Sequence, residues 1–402
     1  MSNNDKGVIA PLAVVSALRG LGTSVLMTFL PVYAVCIGLS LPDIGIVSTI
    51  AMGISVMLIP LAGITVDLLG KKTVLFISTL MLSMASIIPL LIEDFLGVLI
   101  AYILFHSALN IWIPARAATV AGTISENIMG RSFAILSLSF QISRVIAPYI
   151  AGIFIKNYGY SPVFMTASIV VASSSIIIVL FIPEQKSSER LSLSGLLKGI
   201  TPRREELGFH IFLCMDRSGW RLWTPILNSY MKVHLGLGED IIGFMSTLRG
   251  VTSMLGVVPS GILVDKYGWI PAILASEVTG ALAALTIAFA RSDELVVLAM
   301  CLIGLSIALW SPSFNVAIPN IVPIKSELGR TYARSNLYRS IAAIPAPWLG
   351  GMLYDITPAL PMTIGAIVLF INIGILASIV RKYRKKNTMT GFPRKPSGPH
   401  LS

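Results

Sequence analysis

Charge is what this sequence is short of. Only 12% of its 402 residues are Asp, Glu, Lys or Arg, about half the share of an ordinary water-soluble domain. A soluble chain of this length would fold as two or three domains and could not cover them with so few charges. The three cysteines, Cys36, Cys214 and Cys301, lie far apart inside apolar runs, which excludes a disulfide scaffold, a redox pair and a thiolate metal site. Four scattered histidines, His106, His210, His234 and His400, make a metal centre improbable. A P-loop, H-E-x-x-H, G-x-S-x-G and a complete G-x-G-x-x-G are all missing; Gly20-Leu-Gly22 is a lone fragment inside an apolar run. Neither enzyme chemistry, a cofactor nor an ATP-driven pump is expected. What the chain has is apolar residues, 55% of the total, with a mean hydropathy of +0.82. It reads as an integral membrane protein.

A helix crossing the hydrocarbon needs about 20 predominantly apolar residues. Such runs fall near 8–36, 41–66, 73–92, 96–119, 132–155 and 160–182. After a polar stretch they resume near 207–234, 240–264, 269–290, 295–320, 332–355 and 359–380. That predicts twelve spans. The first run is too long for a signal peptide and has no cleavage pattern, so it is expected to be retained. Prolines inside the runs, among them Pro31, Pro89, Pro114, Pro148, Pro225 and Pro347, predict kinks whose freed carbonyls find other donors.

The net charge of +11 would suggest nucleic acid in a soluble protein; here it sets topology. With the N-terminus inside, the inner loops and tails hold nineteen cations, whereas the outer loops hold only Lys156, Lys232 and Arg291. The positive-inside rule therefore predicts that both termini face the cytoplasm, in the plasma membrane. The basic tail, 381–402, is expected to rest on anionic lipid headgroups.

Sliding the chain against itself exposes a duplication. At a shift of 198, Arg19 falls on Arg217, Gly38 on Gly236, Gly45 on Gly243, Gly63 on Gly261, Asp67 on Asp265, Gly70 on Gly268, Trp112 on Trp310 and Pro114 on Pro312. At 199, Gly130-Arg131 meets Gly329-Arg330, Pro148 meets Pro347 and Gly152 meets Gly351. The expected organisation is a six-helix bundle (1–182), a linker (183–206), a second six-helix bundle (207–380) and the tail. Six crossings return the chain to its starting side, so the bundles form parallel repeats about an axis along the membrane normal.

Gly63-Ile-Thr-Val-Asp67-Leu-Leu-Gly70-Lys71-Lys72, repeated in part as Gly261-Ile-Leu-Val-Asp265-Lys-Tyr-Gly268, resembles the G-x-x-x-D-x-x-G-[RK]-[RK] loop of the major facilitator superfamily. In the second copy Trp269 and Ile270 replace the trailing cations. The resemblance implies an all-α fold of twelve spans in two parallel repeats, alternating access to a midplane site, and a monomer. It also implies a gate latch at the cytoplasmic face built from Gly63, Asp67, Gly70, Lys71, Lys72 and Arg131, with Asp265, Gly268 and Arg330 in the second half. The residues alone give a helix-packing glycine, a boundary carboxylate facing Lys71–Lys72 or Arg131, and a glycine turn. Pro148 with Gly152, and Pro347 with Gly350–Gly351, resemble the superfamily's Pro/Gly-rich fifth span; a bend with tight helix packing is the simpler reading.

Eight cations remain inside spans, all arginine: Arg19, Arg116, Arg144, Arg217, Arg221, Arg249, Arg334 and Arg339. The only acids there are Asp216 and Glu277. A charge facing lipid at midbilayer costs about 3 kcal/mol or more, so such groups are expected to face a wet hollow or a partner. Arg116 and Arg334, near span ends, can snorkel, while Arg19, Arg144, Arg217 and Arg249 fall near the midplane. A guanidinium fork matches a carboxylate or phosphate bidentately. This predicts an organic anion clasped by Arg19 and Arg217. Arg221, Thr224 and Asn228 share a face with Arg217, while His106 with Asn110, and Ser306 with Trp310, offer further contacts. Asp216 and His106 are the candidates for carrying a coupling proton; Glu277, on the ninth span, reads as structural. Exchange against a counter-anion would need no proton carrier. Multidrug export and a transporter-like sensor are the competing readings, and a membrane-embedded enzyme the remotest.

Overall fold

The computed structural model describes residues 3–184, 206–321 and 328–389. The first six helices are α1 (Asn3–Cys36), α2 (Leu41–Leu69), α3 (Lys71–Leu91), α4 (Phe95–Thr123), α5 (Glu126–Tyr158) and α6 (Tyr160–Phe181). They are followed by α7 (Leu207–Arg221), α8 (Leu227–Val233), α9 (Glu239–Tyr267), α10 (Trp269–Ala288), α11 (Asp293–Ile321), α12 (Leu328–Ala342), α13 (Ala346–Ile356) and α14 (Leu360–Met389). Among the described residues ten helices are long and apolar enough to cross a membrane, within a few residues of the runs read from the sequence.

The seventh and eleventh spans differ from expectation: each is two helices joined by a short turn, α7–α8 and α12–α13. Pro225, Pro345 and Pro347 remove backbone donors there. Tight turns re-satisfy neighbouring groups, with the Ile226 amide donating to Trp223 O (3.2 Å) and the Ala346 amide to Ala343 O (3.2 Å). The two interruptions meet each other: a Cβ on Gly350 would overlap the Leu222 carbonyl. Only glycine lets the two backbones come so close.

The duplication is visible in the packing. In the first half α3 packs on α4 and α6, α1 on α5 and α6, and α2 on α4; in the second, α10 packs on α11 and α14, α7 on α12 and α14, and α9 on α11. Each pair in one half has its equivalent in the other. The paired glycines also adopt paired backbones, with φ of +98° at Gly38 and +67° at Gly236, and +86° at both Gly70 and Gly268. That left-handed region costs other residues strain, so these four positions explain their own recurrence.

The halves join along seams that α5 makes with α9, α2 with α13 and α1 with α8. A Cβ on Gly45 would run into the Pro347 carbonyl, and one on Gly243 into the Pro148 carbonyl; glycine and proline pair across the axis, each with the other's repeat. Gly152 likewise abuts the Glu239 carbonyl and Gly351 abuts Pro42. Tight packing between halves is therefore what these Pro/Gly positions serve. Proline explains some of the hydrogen bonds too. Pro31 cannot donate to the carbonyl four residues earlier, and Asn228 Nδ2 takes up Met27 O (3.4 Å) along with Thr28 O (2.9 Å). Pro148 similarly frees Arg144 O, which accepts from Ser24 Oγ at 2.6 Å. Ser229 Oγ donates to Pro31 O (2.7 Å) and the Trp348 amide to Thr49 Oγ1 (3.0 Å).

All of these contacts lie in the half of the bundle that carries the Gly38 and Gly236 turns. Lys156–Asp240 (2.7 Å) and Tyr160 Oη donating to Glu239 Oε1 (3.0 Å) tie the halves at that same end. The halves are thus tied together at the face that carries the Gly38 and Gly236 turns.

Candidate functional site

Between the halves lies a cavity of about 470 Å³, walled by α1, α2, α4, α5, α7, the α7–α8 turn, α8 and α9. Six arginines line it: Arg19, Arg116 and Arg144 from the first half and Arg217, Arg221 and Arg249 from the second. No carboxylate does, among the described residues. The remaining wall is aromatic and soft, with Tyr102, Phe105, His106, Trp112 and Phe140 beside Met27, Met52 and Leu109. The hollow thus combines a cationic ring with an apolar pocket.

The six guanidiniums are not equivalent. Arg19 is 1% exposed; its Nη1 donates to Thr79 Oγ1 (2.9 Å), its Nη2 to Ala108 O (3.4 Å), and its plane lies over Trp112 at 4.0 Å. It is anchored inside the first half and presents only an edge. Arg144 reaches Met27 Sδ (3.3 Å), a weak acceptor. Arg116 and Arg217 each carry a buried Nε without a hydrogen-bond partner. None of Arg116, Arg144, Arg217, Arg221 or Arg249 is ion-paired to a described carboxylate. Burying charge without an opposite partner costs several kcal/mol per ion, roughly, so this arrangement is completed by an anion or by water.

Of the expected substrate contacts, Arg19, Arg217, Arg221, His106, Asn110 and Asn228 all line the cavity. Asn110 donates to Ser55 O (3.3 Å), and His106 packs edge-on to Phe105 with ring centroids 5.2 Å apart. Trp310 does not belong there. It stacks between Phe212 and Phe314 inside the second half, with Arg339 5.4 Å from its ring centre. Ser306, on the same face, turns to Ser276. Three cavity arginines escaped assignment to the site, Arg116, Arg144 and Arg249. Their signal was their charge inside an apolar run, but the run does not say which way a side chain points.

Asp216 also turns away from the cavity. It is 3% exposed, within the second half, 3.7 Å from Arg339. Arg334 does not snorkel: it is 6% exposed and bound to Glu206 at 2.8 Å. Of the expected latch, the surroundings of Gly63 and the side chains of Asp67 and Arg330 lie outside the described residues. Lys72 donates to Val179 O (2.7 Å), Lys71 is half-buried, and Arg131 and Asp265 are exposed. Gly70 takes its turn against the Glu184 carboxylate. Gly261, expected to allow close helix packing, has no atom within 4 Å of an added Cβ.

A duplicated helical bundle with a charged hollow on its axis and one closed end defines a multi-pass membrane transporter. The sequence model of the Major Facilitator Superfamily matches residues 12–215 and again 209–399, and the chain belongs to that superfamily. It is 21% identical over 383 residues to the multi-drug resistance efflux pump PmrA homolog of Lactococcus lactis, covering 92% of this chain and 94% of that protein. Among solved structures, the nucleoside transporter NupG superposes with a TM-score of 0.76 at 14% identity, covering 95% of this chain and all of that one. The human organic anion transporter MFSD10 (TETRAN) superposes at 0.64 and 15% identity, over 93% of this chain and all of that one. Identities this low carry the fold and no more.

Proposed function

We propose that this protein is a secondary transporter that moves an amphipathic organic anion across the plasma membrane by alternating access, with both termini in the cytoplasm. The observation that carries the reading is the cavity, six arginines with no carboxylate among its described lining and an aromatic, methionine-bearing wall beside them. The arginine ring suits a carboxylate, sulfonate or phosphate, and the wall suits an apolar or aromatic body.

Three arginines stand on each half, so in the empty cavity like charges face one another. An anion between them exchanges repulsion for attraction, drawing the halves together at the end that bears the termini. The seams at the opposite face then open, and the anion leaves on that side. Arg217 and Arg221, one turn apart on α7 and followed by the α7–α8 turn, are the contacts best placed to pass binding into helix movement. Arg19, already satisfied, sets the field instead of clasping. With the termini inside, the face these seams shut is the outer one.

Multidrug export is the alternative favoured by the name of the Lactococcus relative. The arginine ring speaks against a cationic drug, which would meet like charge and no carboxylate. The discriminating experiment is thermal unfolding of the detergent-purified chain with 1-naphthalenesulfonate or with tetraphenylphosphonium. A ligand of the native state at 100 times its Kd stabilises by about 2.7 kcal/mol. Stabilisation by the sulfonate, lost in Arg217→Gln/Arg221→Gln, is expected; stabilisation by tetraphenylphosphonium alone would refute the anion reading.

A further inference from the structure

A smaller hollow adjoins the cavity where the seam between α5 and α9 ends. The two helices run antiparallel and touch at successive turns: Gly152 abuts Glu239, Pro148 abuts Gly243, and Thr247 Oγ1 donates to Val145 O at 2.7 Å. Beyond that contact the pattern changes. Arg144 of the first half and Arg249 of the second line a chamber of about 100 Å³, together with Ser24, Ser246 and Ser253 and, on its apolar side, Ile307. Of its lining residues only Met27, Arg144 and Arg249 also line the main cavity, so the two arginines stand between the compartments.

The chamber is rich in donors and poor in free acceptors. A guanidinium has no acceptor and keeps its proton, so both arginines present charge and N–H groups alone. Arg144 reaches the Met27 sulfur at 3.3 Å, and neither arginine is ion-paired to a described carboxylate. No Asp or Glu is among the described lining residues. The backbone acceptors beside them are taken, Arg144 O by Ser24 Oγ at 2.6 Å and Val145 O by Thr247. Ser246, 6% exposed, carries a buried Oγ with no hydrogen-bond partner among the described residues. Two positive charges from opposite halves thus share one small hollow with an unfilled hydroxyl. Water can accept from these groups, but it leaves both charges unopposed, and buried charges are paired as a rule.

Size and lining choose the ion. A water molecule takes about 30 Å³, so the chamber admits one small ion with a water or two and excludes an organic body. Two guanidiniums and a hydroxyl are too few donors for the four oxygens of sulfate or phosphate, and Val145, Ile307 and Met27 would press on the rest. A halide, spherical, monovalent and less strongly hydrated, needs fewer donors and tolerates carbon. We propose that Arg144, Arg249 and Ser246 form a halide site, for chloride, that is separate from the substrate position and bridges the two halves at the foot of the α5–α9 seam. The arginine pair is complete only while that seam is shut, so the ion stabilises the shut conformation and is shed when it opens. With the ion seated, Arg144 and Arg249 are neutralised, and Arg116, Arg217 and Arg221 remain for the compound in the main cavity. The site stands on the chamber, whatever that compound is.

The full chain in detergent, exchanged into sodium gluconate, tests both the site and the bridge. Thermal unfolding with gluconate replaced stepwise by chloride at constant ionic strength should give a saturable rise in Tm, reproduced by bromide. Arg249→Gln removes an unpaired charge and should fold; it should weaken halide binding roughly tenfold or more, as loss of a charge-assisted hydrogen bond does. Ser246→Ala keeps both charges and should weaken it about fivefold, the effect of one neutral donor. Crystals grown in bromide locate the ion: an anomalous peak between Arg144, Arg249 and Ser246 is expected in the native chain and should vanish in Arg249→Gln. A flat titration, an equal response to sulfate, a halide effect unchanged in Arg249→Gln, or a peak beside Arg217 instead of in the chamber would each overturn the site. Spin labels at Tyr158 on α5 and Phe289 beyond α10, both exposed, should lie farther apart in gluconate than in chloride. Identical distances in the two salts would overturn the bridging role and leave the site to be judged by the titration and the anomalous peak.

Discussion

Closure of the face opposite the termini rests on backbone contact, and a single methyl group should loosen it. In Gly243→Ala the new Cβ meets the Pro148 carbonyl, and in Gly45→Ala it meets the Pro347 carbonyl. No rotamer can relieve either clash, because both partners are backbone. Overpacking of this kind costs about 1–3 kcal/mol, and each 1.4 kcal/mol is roughly tenfold in an equilibrium. The cost falls only on the conformation in which the seams are shut. The gain in helix propensity from Gly to Ala is present in both conformations and cancels. Each substitution should therefore shift the balance toward the outward-open form by roughly five- to a hundredfold. The assay is pulsed electron-spin distance measurement between labels at Tyr158 on α5 and Phe289 beyond α10, both exposed at that face, in a chain whose three cysteines are replaced. The native chain should give a short distance, and the two variants a second, longer population. Gly261→Ala is the control, since its Cβ would have no atom within 4 Å. If the seam variants and the control give the same distribution, the glycine–proline contacts do not hold the closed face.

Three further outcomes follow from the same geometry. Lys156 and Asp240 keep 58% and 25% of their side-chain surface exposed, so the pair contributes about 1 kcal/mol or less. Lys156→Ala should open the face less than Gly243→Ala does, and 1 M salt should abolish the difference from the native chain. Arg334→Gln strands Glu206 in the interior and should destabilise by about 3–5 kcal/mol, read as a lower Tm, while sulfonate affinity stays unchanged. Arg19→Gln should also lower the Tm, because a buried hydrogen-bonded charge is lost. Arg217→Gln should leave the Tm near native and weaken sulfonate binding roughly tenfold or more, since a charge-assisted hydrogen bond contributes about 1.5–3 kcal/mol; equal effects in both assays would erase the distinction drawn between the two arginines.

The spans were legible because lipid demands unbroken apolar length, and the duplication because Gly38, Gly70 and their repeats Gly236 and Gly268 hold a backbone few other residues adopt. The breaks at 222–226 and 343–345 were less so: Pro225 and Pro347 announced kinks, but tight turns that contact each other depend on Gly350 meeting Leu222, a tertiary event. Direction was the hardest property to read. A helix apolar on every side has no polar stripe to tell its cavity face from its lipid face. Arg144 and Arg249 therefore announced their depth without their orientation, and Trp310, matched to Trp112 in sequence, faces a different neighbour in space. Arg19 and Arg217 align in the repeat and line one cavity, yet Thr79 and Ala108 satisfy the first and leave the second with an unfilled donor.

Only the second half is broken. α1 and α5 run through without interruption where α7–α8 and α12–α13 bend. A duplicated scaffold has thus been divided into a stiff anvil and a compliant jaw, and motion has its joints in the jaw. Restraints placed across the anvil should be silent, whereas a crosslink bridging the jaw's two elbows should arrest turnover with the binding pocket intact.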